Sequence, residues 1–310
     1  MFIIYGFEHD DSLLREHFLR LDHPTSFEHT SESIRHDPPA HRSNETSERI
    51  PRIIHQTYAN TQVPKKWLHA YESCKKVHKE GNWTHILWTD NTARDFIAES
   101  YPWFLPTYDG YPYDIQRVDA VRYFIIYHFG GFYLDFDIGC RKPLTPFLEF
   151  DAIFPKTQPF EVSNDMMAAA KGHPFFKQLI AALPKHRHRA GTKYPTVMWT
   201  TAPVFLTQKL ARFLRIMEFR NVVTGPPSSA DDATVHIIPY ALYGSTEYSF
   251  FTHHPGSSWH GWDVQVVAFL WENRSRILGL TAFVATFVYC HRRLSPGKKW
   301  RSLYYSTRGE

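Results

Sequence analysis

Gly130-Gly131-Phe132-Tyr133-Leu134-Asp135-Phe136-Asp137 is the stretch whose reading decides the fold. The paired glycines end a helix, three apolar residues read as a buried strand, and two aspartates close the run with one residue between them. Placed at the carboxyl end of that strand, Asp135 and Asp137 fall on one face by alternation. Two hard oxygen ligands suit Mn²⁺, with Mg²⁺ the alternative, and such an ion bridges to a diphosphate. There it neutralises charge building on a departing nucleoside diphosphate. A bare Asp-x-Asp is more often a pair of solvated turn residues; the apolar strand and glycine turn ahead of it set this pair apart.

Immediately upstream, Tyr113 to Phe129 has helical periodicity, with Ile115, Val118, Val121, Tyr123, Phe124, Ile125 and Tyr127 mostly inward. Asp119 and Arg122 are one turn apart and share a face. They form either a surface ion pair or a pair aimed at a ligand just before the metal strand. Arg117 lies on a different face and is the weaker candidate.

Further out, Ile53-Ile54 opens a short buried strand, and Pro64 suits the first turn of a helix with Trp67, Leu68, Tyr71 and Cys74 on one side. His85-Ile86-Leu87-Trp88 is a second strand; Thr89 or Asp90 caps the helix carrying Ala93, Phe96 and Ile97. Downstream, Asp151-Ala152-Ile153-Phe154 and Val235-His236-Ile237-Ile238 read as strands, with helices near Pro174 to Leu183 and Ala202 to Met217. Strands alternating with helices imply an α/β fold, a mostly parallel central sheet flanked by helices. In such sheets ligands bind beyond the carboxyl ends of the strands, where Asp135 and Asp137 stand.

At 310 residues and 43% hydrophobic content the chain can bury a full core. Its net charge of +4 comes with no nucleic-acid-binding module or groove-sized patch, so no nucleic-acid partner is implied. Three cysteines, Cys74, Cys140 and Cys290, lack zinc-site spacing. Cys74 and Cys140 are either a bridge formed in an oxidising compartment or free buried thiols. The Asn44, Asn82 and Asn273 sequons matter only in a secretory protein.

The expected organisation is a stem or leader over 1–49, a catalytic domain over 50–265, a hydrophobic helical segment over 266–291 and a basic tail over 292–310. Ile277 to Cys290 holds 14 residues without a formal charge, between Arg276 and His291. A full span needs about 20 apolar residues, so the run suits a short membrane span, a re-entrant segment or a buried helix. If it spans, Arg292, Arg293, Lys298, Lys299 and Arg301 sit in the cytoplasm and the catalytic domain is lumenal.

The set Asp119-x-x-Arg122 … Gly130-Gly131-Phe-Tyr-Leu-Asp135-x-Asp137, with Ile50-Pro51-Arg52-Ile53-Ile54-His55-Gln56-Thr57, resembles the sugar-binding region of glycosyltransferase family 32. Val162-Ser163-Asn164-Asp165, Gly172-His173-Pro174-Phe175-Phe176 and His253-His254-Pro255-Gly256-Ser257-Ser258-Trp259-His260 narrow the likeness. With them the chain resembles, from about residue 50 to 265, the fungal mannosylinositol phosphorylceramide synthase branch. The resemblance implies a GT-A-type fold and retaining transfer of mannose from GDP-mannose with Mn²⁺. It implies inositol phosphorylceramide as acceptor, a Golgi membrane location with a lumenal catalytic domain, and a regulatory membrane subunit as a partner.

Carried over residue by residue, Asp135 and Asp137 match the metal aspartates, and Asp119 and Arg122 the donor-sugar contacts. Ile54, His55 and Gln56 lie beside the nucleoside, and Ser257 and Trp259 contact the diphosphate. His253 fits a His-x-x-Gly element that supplies a third metal ligand, with His254 and His260 as competitors. Asn164 and Asp165 fall where retaining transferases place a polar residue beside the anomeric carbon. Either Asp165 attacks to form a glycosyl-enzyme, or the acceptor hydroxyl attacks from the leaving-group side; the second is favoured because no isolated nucleophile stands out. Thr201-Ala202-Pro203 departs from the Thr-Gly-Pro expected in relatives. Competing functions are an α-mannosyltransferase acting on protein-linked glycans and a non-catalytic subunit of the same fold. A hydrolase is poorer, because two carboxylates this close in sequence are not spread across a sugar.

Overall fold

The computed structural model describes residues 48–157, 161–224, 234–256 and 259–294. Its strands are β1 (Ile53–Tyr58), β2 (Thr84–Thr89), β3 (Gly131–Leu134), β4 (Ile138–Cys140), β5 (Ala152–Pro155), β6 (Met166–Ala169), β7 (His236–Ile238) and β8 (Phe251–His253). Its helices are α1 (Lys65–Val77), α2 (Asp90–Ser100), α3 (Leu105–Asp109), α4 (Asp114–Phe129), α5 (Pro174–Ala182), α6 (Lys193–Thr200), α7 (Pro203–Thr224), α8 (Tyr240–Tyr243), α9 (Trp262–Glu272) and α10 (Arg274–Leu294). By its contacts the chain divides into two compact units, one ending at Trp259 and the other beginning at His260.

The main sheet has the order β2-β1-β3-β6-β5-β7. β1 runs parallel to β2 and β3, and β5 parallel to β7, while β6 alone runs against both its neighbours. The mostly parallel α/β architecture read from the sequence is therefore present, with one reversed strand that the pattern did not reveal. β6 is Met-Met-Ala-Ala, too short to show a period. β4 and β8 form a separate antiparallel pair.

Both faces of the main sheet are covered, and the strands divide their side chains by strict alternation. Ile54, Phe132, Leu134, Ile153, Met166 and Ala168 face one core, which Cys74 of α1 joins together with Ile138 and Phe251. Tyr133, Ala152, Phe154, Met167 and Ala169 face the other, built with α2, α4, α5 and α7. α4 is buried over most of its circumference, including Gln116, Asp119 and Arg122 as well as the apolar run from Tyr123 to Ile126.

Gly130 and Gly131 turn α4 directly into β3 with φ of 71° and 93°. A Cβ on Gly131 would lie 2.6 Å from the Ile53 carbonyl oxygen, so both backbone conformation and the approach of β1 demand glycine there. Of the two states open to Cys74 and Cys140, the structure has the disulfide, which ties α1 to β4. Asn82 is exposed at φ 58° in the turn before β2.

The C-terminal unit contains α9 and α10, broken at Asn273 rather than continuous over 266–291. Within this unit residues 274–291 are exposed. Among the described residues no helix is long and apolar enough to cross a membrane. Most of the leader, the Asn44 sequon and the tail beyond Leu294 lie outside the described residues.

Candidate functional site

The two aspartates are not placed by strand alternation. β3 ends at Leu134, and Asp135-Phe136-Asp137 make a tight turn into β4, closed by the Ile138 amide donating to the Asp135 carbonyl at 3.0 Å. Phe136 is buried, stacked on Tyr71 at 5.3 Å between centroids and tilted against Tyr58 at 5.2 Å. That anchor points the middle residue inward and fixes the turn that carries both carboxylates. The Asp135 amide donates to the Asp165 carbonyl at 2.7 Å, and the His254 amide to the Asp137 carbonyl at 2.8 Å. Gly256 leans on Asp137 so closely that an added Cβ would collide with its Oδ2. Trp67 of α1 holds the same loop by donating its indole N–H to the Pro255 carbonyl at 2.9 Å.

Behind this turn lies a knot centred on Arg122. Its guanidinium pairs with Asp119 at 3.1 Å and with Asp135 at 3.4 Å, and donates to the Asn164 carbonyl at 2.6 Å. It also lies over the Tyr133 ring. Asp119 is sealed: Oδ1 also accepts from the Asn164 amide at 3.0 Å, and Oδ2 from the Thr201 hydroxyl at 3.1 Å. Its side chain is 5% exposed and that of Arg122 2%, against 30% for Asp135. The predicted pair thus forms an ion pair, but a buried one standing behind the carboxylates. Arg117, by contrast, pairs with Asp114 and donates to the Tyr111 carbonyl.

Burial pushes the Asp135 carboxyl up to about 7; Arg122 pulls against it, and Asp137 and Asp165 add repulsion. Burial, then Asp165, also raises Asp137. Three carboxylates therefore face a common region with one guanidinium behind them. Asp165 presents a buried Oδ1 with no hydrogen-bond partner, while its Oδ2 accepts from the Tyr243 hydroxyl at 2.5 Å. Asp135 and Asp137, two desolvated hard-oxygen donors, fit a divalent cation. Among the described residues no three His, Cys, Asp or Glu side chains are gathered as a complete cage. The site is therefore a two-carboxylate platform, whose remaining positions suit phosphate oxygens and water.

His253 lies close enough to act electrostatically on Asp137, but among the described residues it does not complete a three-residue metal group. Its Nε2 donates to the Tyr243 carbonyl at 2.6 Å, and its ring stands edge-on to Tyr243 at 4.7 Å. Because a carbonyl only accepts, Nε2 carries a proton. His254 turns its Nε2 to Thr252 at 3.2 Å, and His260 falls in the C-terminal unit.

Tyr243 is the residue that sequence reasoning missed. One side chain holds Asp165 and packs on His253, yet it stands 78 residues from Asp165 in a Pro-Tyr-Ala-Leu-Tyr segment without a motif. Asn164 and Asp165 lie between β5 and β6, immediately before β6. The Asn164 amide is engaged with Asp119 and the Tyr123 hydroxyl, so its side chain braces the knot.

Ile54, His55 and Gln56 are buried on β1. His55 bonds the Gly130 carbonyl at 3.0 Å and receives the Trp88 indole N–H at 3.2 Å; burial lowers its pKa to about 4 and keeps it neutral. Gln56 alone of the three offers a free polar atom, a buried Nε2 without a partner. Trp259 stacks on Tyr194 at 5.5 Å, and Ser257 lies outside the described residues.

Comparison with known proteins matches residues 64–160 to the family model described as the glycosyltransferase sugar-binding region containing DXD motif. Inositol phosphoceramide mannosyltransferase 1 of Schizosaccharomyces pombe is 42% identical over 243 residues, which are 77% of this chain and 71% of the relative. Inositol phosphoceramide mannosyltransferase 3 of the same yeast is 38% identical over 81% of this chain and 68% of its own. A mannosyl phosphorylinositol ceramide synthase of Saccharomyces cerevisiae is 39% identical over 77% and 59% respectively. Among solved structures, a PaToxG glycosyltransferase aligns over 71% of this chain and 84% of its own at 15% identity, with a TM-score of 0.40.

Proposed function

This chain belongs to the glycosyltransferase family whose sugar-binding region contains the DXD motif, and from that premise we propose that it transfers mannose to inositol phosphorylceramide. The donor in this reading is GDP-mannose, and the anomeric configuration is retained. The observation that carries it is the platform itself: Asp135 and Asp137 on a rigid turn beyond the carboxyl end of β3, with Arg122 fixed behind them.

A divalent cation, Mn²⁺ in this proposal, would be held by Asp135 and Asp137 and would supply charge neutralisation for the departing nucleoside diphosphate. The protein's own residues do the rest. Arg122 keeps Asp135 aimed outward and screens the repulsion among the carboxylates. Gln56 Nε2 offers a hydrogen bond to the nucleoside from β1. Asp165, restrained by Tyr243, supports positive charge on the anomeric carbon and does not attack it. The acceptor hydroxyl then enters on the leaving-group side and passes its proton to the departing phosphate. Trapping a mannosyl adduct on Asp165 would overturn that route.

The Cys74–Cys140 bridge supports an oxidising compartment, since disulfides persist there and rarely in the cytosol. The exposed apolar side chains of α9 and α10, Trp262, Phe269, Leu280, Phe283 and Phe287 among them, support a membrane association. Together they favour a lumenal Golgi site beside the lipid acceptor, with a regulatory membrane subunit as a candidate partner. The test is a donor screen with the purified full chain, Mn²⁺ and inositol phosphorylceramide, scoring mannosylated lipid. Label transferred to a protein-linked glycan and none to lipid refutes the acceptor; activity with another nucleotide sugar and none with GDP-mannose refutes the donor.

A further inference from the structure

The charge of this chain is unevenly spread. From Met166 to Met217, 52 residues contain nine Lys and Arg and not one Asp or Glu. At the chain's own frequency of one acidic residue in ten, five would be expected. The other 258 residues carry 26 Lys and Arg against 31 Asp and Glu, so a protein of net +4 holds a segment of +9 within an acidic remainder. Such asymmetry speaks of an anionic partner rather than of fold.

In the structure this segment runs through β6, α5, a turn, a loop and α6 into α7. Lys185, Arg187, His188 and Arg189 are exposed in the connection between α5 and α6, and Arg212 is exposed on α7. The cations gather. Lys209 of α7 donates to His186 Nε2 at 2.9 Å, and the His186 and His188 rings lie 6.5 Å apart. Lys185 acts electrostatically on His186, and Arg212 on Lys209. Among the described residues none of Lys185, Arg187, Arg189, Lys209 and Arg212 has a carboxylate partner.

The patch also borders the site. Arg187 reaches Gly110, next to the Tyr111 ring that neighbours Asp119. α6 leaves the basic loop and ends at Thr200, one residue before the hydroxyl that holds Asp119. Eight helical residues span roughly 12 Å.

We propose that the face formed by Lys185, Arg187, Arg189, Lys209 and Arg212 docks the enzyme on an anionic lipid surface, reading phosphodiester headgroups. The choice of a lipid over another polyanion rests on the acceptor proposed above; the docking itself is measured without any transfer reaction. Clustered lysines and arginines near a charged bilayer act additively and within a Debye length.

The full chain is floated with phosphatidylcholine vesicles and with vesicles in which phosphatidylinositol replaces part of the phosphatidylcholine. The wild type is expected to prefer the anionic vesicles by about tenfold or more, with the preference collapsing as salt is raised. Lys185→Glu, Arg187→Glu and Arg189→Glu together abolish the preference and leave binding to neutral vesicles and the thermal midpoint unchanged. Reversing Lys75, Lys76 and Lys79 instead leaves most of it. Equal binding of the wild type to both vesicle types, a preference insensitive to salt, or equal loss in both triple variants overturns the proposal. Anionic docking without lipid mannosylation would sink the acceptor reading and leave this inference standing.

Discussion

Asp119 and Asp135 share one arginine and little else. Asp119 is closed in on all sides, both oxygens taken by Arg122, Asn164 and Thr201. Asp135 has a side chain 30% exposed, contacts with Arg122 at the long distance of 3.4 Å, and two further carboxylates facing it. A buried carboxylate with every lone pair met stabilises an arrangement; a desolvated one left partly open is poised to bind something. The sealed side holds Arg122 still, and the open side uses the position so obtained. Four variants probe the two sides, in order of falling effect.

Arg122→Met removes the shared cation and strands Asp119 and Asp135 as buried charges. Breaking a buried ion pair from one side costs about 3–5 kcal/mol. The denaturant midpoint should fall by that measure, and Mn²⁺-dependent transfer should be lost with it. A midpoint within about 1 kcal/mol of wild type would show the knot to be ornamental.

Asp137→Asn attacks only the open side. Transfer is expected to fall about 100- to 1000-fold, comparable to the loss of one well-aimed transition-state contact. Stability measured with a chelator present should instead rise, because a charge opposed by burial and by Asp165 has been removed. Activity and stability lost together would place Asp137 with the sealed group.

Much of this division could be read from the sequence, and the exceptions have physical reasons. Gly130-Gly131, the apolar triplet and the long inward face of α4 declare themselves by pattern, as do β1, β2 and β5. β6, β4 and β8 do not: Met-Met-Ala-Ala, Ile-Gly-Cys and Phe-Thr-His lack the continuous run of β-branched or aromatic apolar residues that marks a buried strand. Asp135 and Asp137 were identifiable, but their geometry comes from a turn pinned by Phe136 and not from strand alternation. Asp119 and Arg122 were legible as a pair, whereas their burial depends on Thr201 and Asn164, 82 and 45 residues from Asp119. Contacts made through space between segments without motifs leave no local trace.

The Cys74–Cys140 bridge sharpens the comparison from outside the knot. It fastens α1 to β4, the strand that follows Asp137 and pairs with the His253 strand. Replacing both cysteines with serine opens a closed loop with a sequence separation of 66 residues, a change of about 2–4 kcal/mol. The loss should appear first at the rim: hydrogen exchange should quicken in β4 and β8 before it does in β3 or α4. Uniform loosening would mean that rim and knot unfold as one.

Tyr243→Phe makes the smallest change and tests whether the open side is itself organised. The hydroxyl given up bonds Asp165 Oδ2 and the Ser163 side chain, while the ring contact and the carbonyl bond to His253 survive in phenylalanine. If Asp165 must be held beside the anomeric carbon, kcat should drop about tenfold, or roughly 1.4 kcal/mol, with little change in KM for the donor. The stability read from the thermal midpoint should fall by no more than about 1.5 kcal/mol, the worth of one hydrogen bond. An unchanged kcat would mean that Asp165 is positioned by its backbone bonds to Asp135 and Ser163, and the open side would then reduce to the two aspartates of the turn.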